Sequence, residues 1–146
     1  MDGQRVLDLF AGTGALGIEA LSRGAERLVA VDRSRRSVAA IQKNLEQLGV
    51  AAAAKVMRED ARRAVRRLGD DGERFDLVLM DPPYAEIDQA LGVLEALVAC
   101  DILDPDAVVV AEGSKRHSLA RVAGLILEST RAYGDTVVYW FGRESE

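Results

Sequence analysis

Val6-Leu7-Asp8-Leu9-Phe10-Ala11-Gly12-Thr13-Gly14-Ala15-Leu16-Gly17 ends an apolar run on a glycine-rich segment and opens an amphipathic stretch, Ala15–Arg23. Glycine allows a tight turn and a close approach of backbone to ligand, and a following helix offers free N–H groups beside it. The order predicts a strand, a glycine loop and a helix N-terminus. Gly12, Gly14 and Gly17 satisfy G-x-G-x-x-G, and Asp32 falls where an acidic residue takes a ribose hydroxyl. The pattern points to an adenosine-containing cofactor without distinguishing a nicotinamide from another. The plain alternative is a tight turn without a ligand.

Asp8 helps to separate the candidates. A carboxylate in this loop repels a pyrophosphate and suits a cofactor with a cationic amino group and no phosphate, such as S-adenosylmethionine. Its plain alternative is a carboxylate satisfied by loop N–H groups.

Outward from the loop, short β-rich runs alternate with helical stretches. The runs are Arg5–Phe10, Arg27–Asp32, Ala53–Arg58, Phe75–Asp81, Ala107–Glu112, Leu125–Thr130 and Thr136–Phe141; the helical stretches are Ala15–Arg23, Ser34–Leu48, Ala61–Leu68 and Ile87–Cys100. Val38, Ile41, Leu45 and Leu48 recur at helical spacing. Ser34 is placed as an N-cap, Gly24 and Gly49 as C-terminal caps, and Gly69-Asp70-Asp71-Gly72 as a loop. The alternation predicts a doubly wound, Rossmann-like α/β fold with helices on both faces of a mixed seven-stranded sheet. The Tyr133-Gly134-Asp135 turn predicts a closing hairpin whose last strand is antiparallel.

The 146 residues suit one domain, read here as residues 1–146, and suffice for a core without staples. Hydrophobic residues make up 49% and charged residues 29%, which excludes a wholly disordered chain. A single cysteine, Cys100, excludes an internal disulfide and a multi-cysteine zinc site. With His117 the one histidine, a histidine-rich metal centre or a Ser-His-Asp triad has no basis, and no metal is expected. The net charge of −5 is not that of a stand-alone nucleic-acid binder, although local patches steer binding more than totals do. No stretch approaches the roughly 20 apolar residues of a membrane helix, and the first residues carry no targeting signal. A cytoplasmic monomer is expected.

Phe75-Asp76-Leu77-Val78-Leu79-Met80-Asp81-Pro82-Pro83-Tyr84 is the strongest chemical signal. Strand ends in an open α/β sheet form the ligand crevice, so Asp81 and Tyr84 are expected beside the glycine loop. Two prolines stiffen the backbone and remove two donors. The Asp81 carboxylate and Pro82 carbonyl then make a rigid acceptor pair that matches a planar exocyclic amine. Tyr84 offers a face for base stacking. The plain alternative is a proline stop on a buried strand, with Tyr84 as a surface lid.

These two segments resemble the class I S-adenosylmethionine-dependent methyltransferases, in the branch whose (Asp/Asn)-Pro-Pro-(Tyr/Phe) motif methylates exocyclic amines. Val6–Ala25, Asp81-Pro82-Pro83-Tyr84 and Tyr133-Gly134-Asp135-Thr136 are similar to the RsmD-type guanine-N2 methyltransferases of bacterial 16S ribosomal RNA. The resemblance covers essentially the whole chain. It implies that Asp8, Phe10, Ala11, Gly12, Thr13 and Gly14 hold the methionine end of the cofactor, and that Asp32 takes the ribose with Arg33 flanking the adenine. It implies that Asp60 accepts from the adenine amine beside Ala61, and that Asp81, Pro82, Pro83 and Tyr84 carry catalysis. Asp60 also stands at an N-cap position, its alternative role. The implied partner is ribosomal RNA or the small ribosomal subunit. The family's basic N-terminal extension has no counterpart before the first strand, so RNA contact is expected to be weakened.

Further basic groups are Arg33, Arg35 and Arg36, then Arg62, Arg63, Arg66 and Arg67 on one helix, and Lys115, Arg116 and His117 after the fifth strand. The last group is best placed for RNA; a charged helix face is usually only solvated. His117 reads as a surface residue, Trp140 as packing and Cys100 as a buried small hydrophobe. The alternatives carried forward are the same chemistry on adenine in DNA or other RNA, a nicotinamide-dependent oxidoreductase, and a cofactor-binding protein without turnover.

Overall fold

A computed structural model describes residues 3–119 and 121–145. The elements are β1 (Arg5–Leu9), α1 (Ala15–Ser22), β2 (Arg27–Asp32), α2 (Arg35–Gln47), β3 (Ala54–Arg58), α3 (Ala61–Asp70), β4 (Phe75–Met80), α4 (Ala90–Ala99), β5 (Leu103–Ser114), β6 (Leu125–Tyr133) and β7 (Thr136–Arg143). The strands form one sheet in the order β3-β2-β1-β4-β5-β7-β6. β1 to β5 pair in parallel, whereas β7 runs antiparallel to both β5 and β6. This is the doubly wound mixed sheet read from the sequence, with its antiparallel last strand.

Alternation along the strands divides the core. Val6, Leu28 and Ala30 face α1 and α2, where Ile18, Leu21, Ile41 and Leu45 are buried. Their neighbours Leu7, Leu9, Val29 and Val31 face α3 and α4, where Val65, Leu68, Leu94 and Leu97 are buried. Burying both strand faces explains the near-continuous apolar runs. Each fully buried side chain of this size contributes roughly 1.5–3 kcal/mol. The expected caps are present: Ser34 Oγ accepts from the Ser37 N–H at 3.3 Å, and Gly24 (φ 104°) and Gly49 (φ 70°) close their helices left-handed.

Several boundaries differ from the sequence expectation. The stretch Ile87–Cys100 is not one helix, because Tyr84–Gln89 forms a 3-10 turn before α4. Pro83 holds the chain extended, and the Glu86 N–H donates to its carbonyl at 2.8 Å, which closes the tighter turn first. Gly69 and Asp70 belong to α3 rather than to a loop. Gly69 is there because a Cβ would lie 2.8 Å from the Cys100 carbonyl oxygen, and Gly72 (φ 73°) makes the turn. β5 starts at Leu103, and its register to β4 shifts across Pro105, which has no N–H to give. β6 continues to Tyr133, directly opposite Thr136, so Gly134 and Asp135 form a two-residue hairpin loop. Cys100 is only half-buried, packed against the core at the end of α4.

The chain winds from β1 outward to β3 and then returns to place β4 on the other side of β1. The strand order therefore reverses between β1 and β4, and the crevice beyond their carboxyl ends is where such sheets bind ligands.

Candidate active site

Phe10 leaves β1 left-handed (φ 59°), and Gly12 (φ 61°) and Gly14 (φ 80°) carry the loop to the start of α1. The loop is stitched to the next strand: the Ala11 N–H donates to the Val31 carbonyl and the Gly12 N–H to Asp32 Oδ2, both at 2.9 Å. The other Asp32 oxygen accepts from the Ser34 N–H at 2.9 Å. Thr13, at the exposed crest, gives its carbonyl to Asn44 Nδ2 at 3.1 Å. A Cβ on Gly12 would meet nothing within 4 Å, so open space stands over the loop. Gly17 has another reason to be glycine. A Cβ there would come 2.7 Å from Leu28 Cδ1 and 3.0 Å from Asp8 Oδ2, so its absence lets α1 settle onto β2.

Beneath the loop Asp8 is 4% exposed and accepts from the Gly17 N–H at 3.2 Å. Among the described residues it has no cationic partner. Burial, opposed by the Gly17 N–H and reinforced by Asp81 and Asp32, pushes its carboxyl up to about 7. A buried carboxyl in this state favours a ligand that brings positive charge. Nearby, Phe10, Val31, Asp32, Arg33, Glu59, Ala61 and Glu86 line a narrow cleft. Arg33 bridges it to Glu86, with Nη1 2.9 Å from Oε1. Asp60 Oδ2 accepts from the Arg63 N–H at 3.3 Å and caps α3, the alternative role foreseen for it. Glu59 and Glu86, which were not singled out from the sequence, are therefore part of this cleft.

These residues could hold an amine-bearing adenosine cofactor without phosphates. Asp8 offers the anion, Gly12 the open approach, Asp32 the acceptor at the end of β2, and Val31 and Ala61 apolar walls. The loop Asp8–Gly17 contains no basic side chain to meet a pyrophosphate.

Asp81, Pro82, Pro83 and Tyr84 follow β4 at the reversal point. Asp81 is exposed, Pro82 is buried, and Tyr84 is 74% exposed. Asp81, Pro82 and Tyr84 line a cavity of about 210 Å³ with Ile87, Glu112, Gly113, Ser114, Asp135 and Thr136. Tyr84 also borders a second cavity of about 250 Å³ with Ser114, Lys115, Arg116 and Asp135. Glu112 was not read as a site residue, although its position at the end of an expected strand was the available signal. Burial and the adjoining Asp81 carboxyl raise its pKa. Lys115 and Arg116 are exposed beside this site, and His117 Nδ1 lies 3.0 Å from Ser114 Oγ. The arginines of α3 lie on an exposed helix face, where Arg67 pairs with Glu59 at 3.2 Å. A larger cavity of about 390 Å³ lies at the opposite end of the sheet, lined by Leu97, Asp101, Gly124 and Arg143 among others. Within it Arg143 reaches Asp101 at 3.8 Å.

The model of the family described as conserved hypothetical protein 95 matches residues 1–142. The chain belongs to this family. The family is RsmD-like and has the class I S-adenosylmethionine-dependent methyltransferase fold. A Bacillus subtilis (strain 168) relative named "Putative rRNA methyltransferase YlbH" is 40% identical over 139 residues, covering 94% of this chain and 74% of its own length. The solved Escherichia coli structure titled "Putative methyltransferase yhhF" superposes with a TM-score of 0.83 at 29% identity, covering 99% of this chain and 80% of that one. An Erwinia tasmaniensis relative named ribosomal RNA large subunit methyltransferase I is 37% identical over 82 residues; the match covers 56% of this chain and 21% of that protein.

Proposed function

We propose that this chain transfers a methyl group from S-adenosylmethionine to the exocyclic N2 amine of a guanine in 16S ribosomal RNA. The observation that carries the reading is the acceptor pair Asp81 and Pro82 with exposed Tyr84 at the strand-order reversal, one strand away from the loop over Asp8. The names of the relatives support ribosomal RNA as the substrate class.

In this reading Asp8 faces the amino group of the cofactor, the Phe10–Gly14 loop carries its methionine end, and Asp32 takes the ribose. Arg33 flanks the adenine once its bridge to Glu86 opens, while Asp60 and Ala61 border the adenine edge. The bound cofactor supplies a methyl group on a positively charged sulfur, which departs as a neutral thioether. The protein then mainly positions the amine in line with that methyl group. An exocyclic amine is a poor nucleophile because its lone pair is delocalised into the ring. Hydrogen bonds from its two N–H groups to the Asp81 carboxylate and the Pro82 carbonyl turn the lone pair toward the methyl group and stabilise the positive charge developing on nitrogen. The new N–C bond leaves an acidic ammonium-like centre whose proton passes readily to water, so no strong base is needed. The base must leave its stack to enter, which favours unpaired or flipped nucleotides. Lys115 and Arg116, bordering the second cavity, are positioned to meet the adjoining phosphates.

The test is incorporation of labelled methyl groups into 16S RNA transcribed in vitro, with N2-methylguanosine as the expected product after digestion. NAD is expected not to bind; binding of NAD instead of S-adenosylmethionine would overturn the cofactor assignment. Tyr84→Ala should raise KM for RNA by about 5- to 150-fold, the equivalent of losing about 1–3 kcal/mol of stacking. Because this side chain is exposed, melting should be nearly unchanged.

A further inference from the structure

We propose that Glu112 selects guanine over adenine by accepting the ring N1–H of the base whose exocyclic amine sits on Asp81. This rests on the methyl-transfer reading above and names which base that site takes.

The geometry begins with strand register. Met80 of β4 pairs with Ala111 of β5, so the next residues, Asp81 and Glu112, stand side by side at the carboxyl ends of parallel neighbours. Both line the 210 Å³ cavity with Pro82, Tyr84, Ser114 and Asp135. Burial, together with the charge of the adjoining Asp81 carboxyl, raises the pKa of Glu112. Two adjoining carboxyl groups crowd acceptor oxygens and negative charge together, and an incoming N–H donor relieves that crowding.

The chemistry of the bases does the rest. Guanine is the one common base that presents a ring N–H directly beside its exocyclic amine. In adenine and cytosine the ring nitrogens beside the amine are acceptors. A carboxyl next to the amine-binding Asp81 therefore meets a donor in guanine and a lone pair in adenine. A site built to receive a hydrogen bond rejects the base that lacks it, because its polar group is left unpaired. Glu112 lies 31 positions after Asp81 in sequence, so only the pairing of β4 with β5 makes the two one recognition element.

The test compares wild type, Glu112→Gln and Glu112→Ala on 16S RNA transcribed in vitro. It reads N2-methylguanosine and N6-methyladenosine in the digested product, together with calorimetric affinity for S-adenosylmethionine. Both variants are expected to lose about 10- to 100-fold in guanine methylation, with cofactor affinity within about twofold of wild type. The glutamine variant alone should gain adenine methylation, since its amide N–H can donate to the adenine N1. Guanine methylation within about threefold of wild type in both variants overturns the role of Glu112 and leaves the methyl-transfer reading intact. N6-methyladenosine as the wild-type product overturns the guanine assignment and this inference together. Where wild type transfers nothing, the functional reading fails and Glu112 is judged by titration with GMP and AMP. A GMP preference that disappears in Glu112→Gln supports it, and equal affinities in wild type overturn it.

Discussion

Asp81→Ala is expected to lower methyl transfer by about 100- to 1000-fold while affinity for S-adenosylmethionine stays within about twofold. Asp81 is exposed at the end of β4, so its loss leaves neither a core cavity nor a buried unpaired charge, and melting should shift little. What disappears is the acceptor that orients the amine and meets the charge forming on nitrogen. Asp81→Asn, which keeps a carbonyl oxygen in place, should fall between alanine and wild type. The electrostatic surroundings provide a second readout. Asp81 is one of the charges that raise the Asp8 carboxyl, so its removal should lower the apparent pKa of that group. Single-turnover assays separate the chemical step from binding, and near-wild-type turnover in Asp81→Ala would sink the mechanism.

Asp8→Asn should have opposite effects on stability and on cofactor affinity. The carboxyl of Asp8 is raised from 3.8 to about 7, first by burial. Between these values the folded protein holds a proton that the unfolded chain has released, so wild-type stability falls as pH rises from about 4 to about 7. Above that window the penalty is complete, on the order of 2–4 kcal/mol for a carboxylate this buried. Asparagine cannot ionise. The variant should therefore melt several degrees higher than wild type at pH 8, converge with it near pH 4, and lose the pH dependence in between. Its affinity for S-adenosylmethionine should fall, because the amino group of the cofactor no longer meets an anion. In wild type the same affinity should strengthen as pH rises to about 7, since an ionised Asp8 is the form that binds a cation. Thermal melts at several pH values and calorimetry at pH 6 and pH 8 measure both effects. A variant that binds the cofactor as tightly as wild type would remove Asp8 from the site.

The strands and the loop were legible because each is encoded locally. The apolar runs of β1 and β2 are buried on both faces, and β4 buries Val78 and Met80 on one face with Leu77 and Leu79 half-buried on the other, which leaves a nearly continuous signal over five or six residues. Gly12 and Gly14 occupy left-handed backbone that few other residues adopt, so they advertise the loop directly. The entry to α4 was less legible. Ile87-Asp88-Gln89 reads as helix by composition, but the hydrogen bond from Glu86 to the Pro83 carbonyl imposes a 3-10 turn there. The third glycine of the pattern was legible as a residue type but not as a reason. Gly17 is glycine because Leu28 and Asp8 press against its Cα, a contact made across two elements.

By itself the sequence determined a doubly wound α/β chain, the glycine loop after β1 and the Asp-Pro-Pro-Tyr segment after β4, since periodicity, glycine and proline act through their own backbone. Tertiary structure alone decided which distant groups share a site. Parallel pairing of β4 with β5 sets Glu112 against Asp81, folding across the sheet bridges Arg33 to Glu86, and burial under α1 raises Asp8. Those effects depend on distance and dielectric between residues far apart in the chain, quantities that come into being only when the sheet closes.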